Sequence, residues 1–102
     1  MIYKINTDNF ELSQKAEEYL EKQVKKVERF LSNYTSDLPL LQLSVKHHLK
    51  RRVFEGSMVL HLPEQPLSAH FRAASFNEAI KTGFSKVVRE LRELKEKRQI
   101  YD

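Results

Sequence analysis

A chain of 102 residues, 40% hydrophobic and 31% charged, has room for one core and too much apolar content for disorder, so a single domain spanning residues 1–102 is expected. With no cysteine it forms neither disulfides nor thiolate metal sites, and no apolar run approaches the ~20 residues of a membrane span. The net charge of +4 and sequence pI of about 9.4 admit a nucleic-acid partner without requiring one.

The chain begins Met1-Ile2-Tyr3-Lys4-Ile5, a pattern with no signal peptide, so a cytoplasmic location is the expectation. Residues 1–6 read as a short strand, and Thr7-Asp8-Asn9 reads as a turn whose polar side chains can bond their own backbone. Ser13 is placed to cap a first helix running to about Leu31, whose stripe of Ala16, Leu20, Val24, Val27 and Leu31 has helical spacing.

Three segments of alternating polarity follow. Leu41, Leu43, Val45 and Leu49 form the apolar side of the first, Phe54, Met58, Leu60 and Leu62 that of the second, and Leu67, Ala69, Phe71 and Ala73 that of the third, each a half-buried strand. Pairing Leu49 with Phe54 sets Val45 against Met58, Leu43 against Leu60 and Leu41 against Leu62. Pairing Leu62 with Leu67 sets Leu60 against Ala69 and Met58 against Phe71. A one-residue slip would bury the polar set instead. The turn around Arg51-Arg52 lacks the Gly or Asn of a tight hairpin and reads as a loose, mobile, basic loop.

Ser75 followed by Glu78 is a capping-box pattern, and Phe76, Ile80, Phe84, Val87, Leu91 and Leu94 make the apolar face of a second helix expected to end near Arg98. The resulting fold class is α+β, in the order β-α-β-β-β-α, with a four-stranded mixed sheet and both helices on one face. The first and second strands are parallel if they are neighbours.

Basic residues recur beside the apolar stripe of each helix. Lys15, Lys22, Lys26 and Arg29 share one side of the first helix, and Lys81, Arg89, Arg92 and Lys95 share one side of the second. Lys25 and Lys86 are grouped with them. Helices packed side by side would merge the two stripes into a ridge spaced for phosphates, whereas the plainer account is two solvated faces with ordinary Glu to Lys pairing.

Of the four histidines, His48, His61 and His70 point to the open sheet face, with His61 and His70 as diagonal neighbours. His47 points to the covered face beside Gly56. No third ligand converges, so neither a metal nor any other cofactor is expected. His48, Lys46 and Arg72 offer possible RNA contacts on that face, against the simpler reading of a solvated sheet surface. The chain has no Gly-rich phosphate loop, nucleophile elbow or HExxH pair, and an enzyme is not expected. Gly83, inside the second helix, is read as a point of close approach to a neighbour.

Several strings, in order, carry a likeness to a known family. They are Asn9-Phe10-Glu11-Leu12-Ser13, Lys26-Val27-Glu28-Arg29-Phe30, Leu60-His61-Leu62-Pro63 with Leu67-Ser68-Ala69, and Phe76-Asn77-Glu78-Ala79-Ile80 followed by Val87, Leu91 and Leu94-Lys95-Glu96-Lys97. Taken together, the chain resembles the ribosome hibernation promoting factor and ribosome-associated inhibitor family, the sigma-54 modulation proteins, in a short form without the additional C-terminal domain of long members. It departs from the family pattern at Thr7, where glycine is common, and at Glu64-Gln65, which replaces a glycine-containing turn. Lys81 replaces a frequent acidic residue, and Leu94 a frequent histidine.

The resemblance implies a cytoplasmic, non-enzymatic translation inhibitor. It would bind ribosomal RNA in the decoding region of the small ribosomal subunit and promote hibernation by blocking messenger and transfer RNA. The two helix stripes, joined by Lys50, Arg51 and Arg52, would supply the RNA contacts, with no membrane or small-molecule partner and a monomeric state off the ribosome. The rival reading is a protein-interaction module that modulates a transcription or translation factor through the exposed sheet face or an open sheet edge.

Overall fold

Side-chain hydroxyls start both helices. The Ser13 Oγ accepts the Ala16 amide at 3.1 Å and the Ser75 Oγ accepts the Glu78 amide at 3.2 Å, each satisfying a donor that a helix N-terminus leaves open. In the computed structural model, which describes residues 1–31 and 39–101 and side chains up to residue 96, the elements are β1 (Ile2–Asp8), α1 (Gln14–Glu28), a 3₁₀ turn (Arg29–Leu31), β2 (Leu40–His48), β3 (Val53–His61), β4 (Pro66–Ala73) and α2 (Phe76–Tyr101). Strand β1 is longer than its residues suggest, because Thr7 and Asp8 pair with Val45 and Lys46. The chain turns only at Asn9, which has a left-handed φ of 68° and donates from Nδ2 to the His47 carbonyl. Asparagine tolerates that conformation better than most residues.

The sheet order is β1-β2-β3-β4, with β1 parallel to β2 and the remaining pairs antiparallel. One face is exposed. The other carries Leu41, Leu43, Val45, Met58, Leu60, Leu67, Ala69 and Phe71, which share a single buried cluster with Leu20, Val24 and Val27 of α1 and Ile80, Phe84, Val87 and Leu91 of α2. The mixed sheet covered on one face by both helices is thus the architecture anticipated from the hydrophobic pattern.

The register departs from the expected one by two residues in both hairpins. Leu43 faces Met58, Leu41 faces Leu60, and Leu60 in turn faces Leu67. Alternation cannot detect this shift, since a slip of two keeps every side chain on its face. The observed pairing sets Gly56 between Val45 and Phe71, where a Cβ on Gly56 would overlap the Ser44 carbonyl oxygen. Phe54 thereby lands opposite His47, not Leu49. Its ring stacks on the imidazole at 4.2 Å, and Phe10 closes edge-on against it at 5.1 Å. Leu49 is left in the turn at 65% exposure instead of ending a strand. His61 and His70 also cease to be neighbours: His61 pairs with Pro66 and His70 with Ser57.

Helix α2 reaches the sheet through Gly83, where an added Cβ would stand 2.5 Å from the Met58 methyl and 2.7 Å from the Phe71 ring. Glycine weakens a helix interior, so it persists here for the approach it permits. Gly83→Ala is expected to lower stability by about 1 kcal/mol in urea melts, since overpacking costs roughly 1–3 kcal/mol against the ~1 kcal/mol gained in helix propensity. A stabilised variant would show that the Met58 side chain moves aside freely.

Candidate nucleic-acid interface

The rings of Phe10, Phe54 and Phe76 meet in one cluster, so both helices start at the same end of the sheet and run back along it in the same direction. That parallel course lays residues 23–30 of α1 and its 3₁₀ turn beside residues 81–92 of α2, with a groove of about 400 Å³ between them. Its floor is apolar, made by buried Val27 and Phe84 with half-buried Phe30 and Val88. Lys26, Lys81, Arg89 and Arg92 form its rim, and Gln23 and Ser85 complete the walls. Among the described residues none that lines it is acidic.

The acidic side of α1 lies elsewhere. Glu21 and Glu17 stand near Tyr3 of β1, whose phenol is pushed above its usual pKa first by burial and then by these two carboxylates. These two carboxylates are thus on the β1 side of α1, away from the groove lining. Phe30 draws cations as well: the Arg92 guanidinium lies 5.3 Å and the Lys95 ammonium 5.7 Å from its ring centre, within cation–π range.

The other basic residues singled out from the sequence fall into three places. Lys15, Lys22 and Lys25 on α1 and Arg29 at the start of the 3₁₀ turn are exposed, and none of them lines the groove. Lys86 leaves α2 on its other flank and donates from Nζ to the His70 carbonyl on β4 at 2.8 Å, bordering a hollow with His70, Phe71 and Thr82 instead of the groove. Lys50, Arg51 and Arg52 occupy the four-residue turn between β2 and β3. That turn stands at the end where α2 begins, and Arg89 is about 20 Å further along the helix at ~1.5 Å per residue. Lys81, at the near end of the groove, is only about 7.5 Å along the same helix.

Sequence reasoning left out Phe30, Gln23, Ser85 and Val88 as groove residues. Phe30 carried a signal, since it falls on the helical circumference between the apolar stripe and the basic one. The open sheet face is arranged differently. Asp8, Lys46, Glu55 and Arg72 are successive partners across all four strands, so charges alternate along the row. Glu55 Oε2 lies 3.9 Å from Arg72 Nε and 3.7 Å from His48 Nε2, and His61 Nε2 bonds the Gln42 Oε1 at 2.8 Å. Among the described residues no group of three or more His, Asp or Glu could hold a metal ion.

Comparison with known proteins gives the family. A family model described as sigma 54 modulation protein / S30EA ribosomal protein matches residues 3–99. The chain belongs to this family. The N-terminal domain of Thermus thermophilus Protein Y shares the fold with a TM-score of 0.74 at 17% identity, covering 91% of this chain and 97% of that one. A ribosomal subunit interface protein from Coxiella burnetii does so with a TM-score of 0.75 at 12% identity, covering 94% and 99%. Among curated proteins no match is found.

The β2–β3 turn contains a local conflict that can be measured. Arg52 has a φ of 53°, a left-handed conformation that disfavours a side chain with a Cβ and is eased by asparagine. Arg52→Asn is expected to raise stability by roughly 0.5 kcal/mol in urea melts while removing one cation from the turn. A drop in stability would show that the arginine makes a contact outweighing its backbone strain.

Proposed function

We propose that this member of the family is a ribosome-associated translation inhibitor that docks by its helical side on ribosomal RNA of the small subunit. Bound in the decoding region, it occupies the path of messenger and transfer RNA and holds the ribosome in hibernation. The observation that carries this reading is the groove rim: four cations from two helices, with no acidic residue among those that line it. Such a rim neutralises successive phosphates and gains from counterion release. Lys15, Lys22, Lys25, Arg29 and Lys95 extend the positive field around it, and the turn at Lys50, Arg51 and Arg52 adds a further contact at the end where α2 begins.

Inhibition here is steric. It needs a stable body and a complementary charge, and it assigns no catalytic residue. The description of one structural relative as a ribosomal subunit interface protein accords with this reading, which takes the protein as a cytoplasmic monomer that meets its partner only on the ribosome. No helix is long and apolar enough to cross a membrane among the described residues.

Affinity for purified small subunits, measured against salt, tests the proposal. Replacing Lys26, Lys81, Arg89 and Arg92 by Gln is expected to flatten the slope of log affinity on log salt by about 3, at roughly 0.7–0.9 per phosphate contact. The melting temperature should hardly move, because exposed charges contribute little to folding. Gln at Lys46 and Arg72 is the matched control and should leave the slope almost unchanged, each of these cations standing beside a carboxylate in the sheet row. Losses in proportion to the charges removed, four against two, would assign binding to net charge. A larger loss from the sheet pair would favour a partner on the open face.

A further inference from the structure

A rim of cations explains attraction to phosphate, but the groove beneath it holds more than a phosphate requires. Its volume of about 400 Å³ falls within the roughly 300–1,000 Å³ of sites that enclose small organic ligands, and its floor is apolar and partly aromatic. An anion bound by rim charge alone has no use for such a floor. The complementary ligand has an anionic end and a flat apolar body.

Two walls of the groove add a polar handle. The Gln23 amide presents both a donor and an acceptor, and the Ser85 hydroxyl does the same, so the edge of a planar heterocycle can be paired from either helix. Beside Phe30 the Arg92 guanidinium lies 5.3 Å from the ring centre, within cation–π range. A planar ring that entered would meet the aromatic face of Phe30 or the guanidinium plane of Arg92, the two surfaces on which unstacked bases are held.

The geometry points to the interhelical groove as a pocket for one unstacked nucleotide of single-stranded RNA. Its base lies on the floor at Phe30 and Val88, and its flanking phosphates rest on Lys26 and Arg89. This rests on the reading of the helical side as the RNA-binding side and adds to it a preference for strand state. Duplex RNA keeps its bases paired and presents only phosphates and sugars to the rim, so it gains nothing from the floor. An unpaired, bulged or looped nucleotide gains both terms.

The probe is a single-stranded RNA of about ten nucleotides, within the span of one small binding domain, with 2-aminopurine at its centre. It is compared with the same strand made abasic at that position and with the duplex of the same sequence. For the wild-type protein the intact strand is expected to bind on the order of tenfold more tightly than the abasic strand, the size of one base–aromatic contact, with a change in 2-aminopurine fluorescence on binding. Ser85→Leu, a change at an exposed position that fills the groove, should abolish both the tenfold intact-to-abasic ratio, measured within the same variant, and the fluorescence change. Phe30→Leu, checked for an unchanged melting temperature, should do the same.

Equal affinity of the wild-type protein for intact and abasic strands would overturn the nucleotide pocket and leave phosphate docking standing. So would a fluorescence change that survives Ser85→Leu, or a duplex that binds as tightly as the intact strand. Absence of binding by all three RNAs at low salt would overturn the RNA reading of the helical side itself, and this inference with it.

Discussion

The seating of α2 on the sheet depends on two missing side chains. Gly56 leaves β3 free to close on the Ser44 carbonyl, and Gly83 lets the helix descend onto Phe71 and Met58. Phe71 connects the two, since it pairs with Gly56 in the sheet and touches Gly83 from below. In a close-packed interior a displaced helix forfeits contacts along its whole length. The height of α2 above the sheet decides where Phe84 and Val88 stand relative to Val27 and Phe30. The groove is thus a consequence of packing several residues away from any basic side chain.

Much of this was legible in the chain itself. Alternation placed Leu43, Val45, Met58, Leu60 and Phe71 on one face, and helical spacing placed Leu20, Val24, Ile80 and Leu91 against them. The two serine caps marked where each helix begins. The register was not legible, because a period of two is blind to a shift of two, and what decides it is a glycine whose Cβ would collide with backbone. Leu49 misled for a related reason: it continues the apolar pattern past the point where the chain turns. Among the basic residues, periodicity grouped those on each helix but could not show which of them border the groove, where Lys26, Lys81, Arg89 and Arg92 stand. Lys86 departs from its group through a contact with a strand carbonyl, which no property of its own helix announces.

The two sides of the molecule handle charge in opposite ways. On the open sheet face each cation of the central row stands next to a carboxylate, so its field is short-ranged and largely cancelled within a Debye length of about 8–10 Å. On the helical side Glu17 and Glu21 stand near Tyr3 of β1, while Lys26, Lys81, Arg89 and Arg92 gather at the groove. A modest net charge of +4 therefore understates the potential at the groove, and separated charge of this kind orients a protein during its approach to a polyanion.

The contact between Lys86 and the His70 carbonyl has a further effect, on self-association. Strand β4 is an edge of the sheet, and an edge offers unpaired backbone groups to any other extended chain. Lys86 occupies one of those acceptors and sets a positive charge where an incoming strand would lie. A second molecule approaching edge to edge meets that charge and finds the acceptor taken. This one lysine therefore helps to keep neighbouring sheets from adding strand to strand.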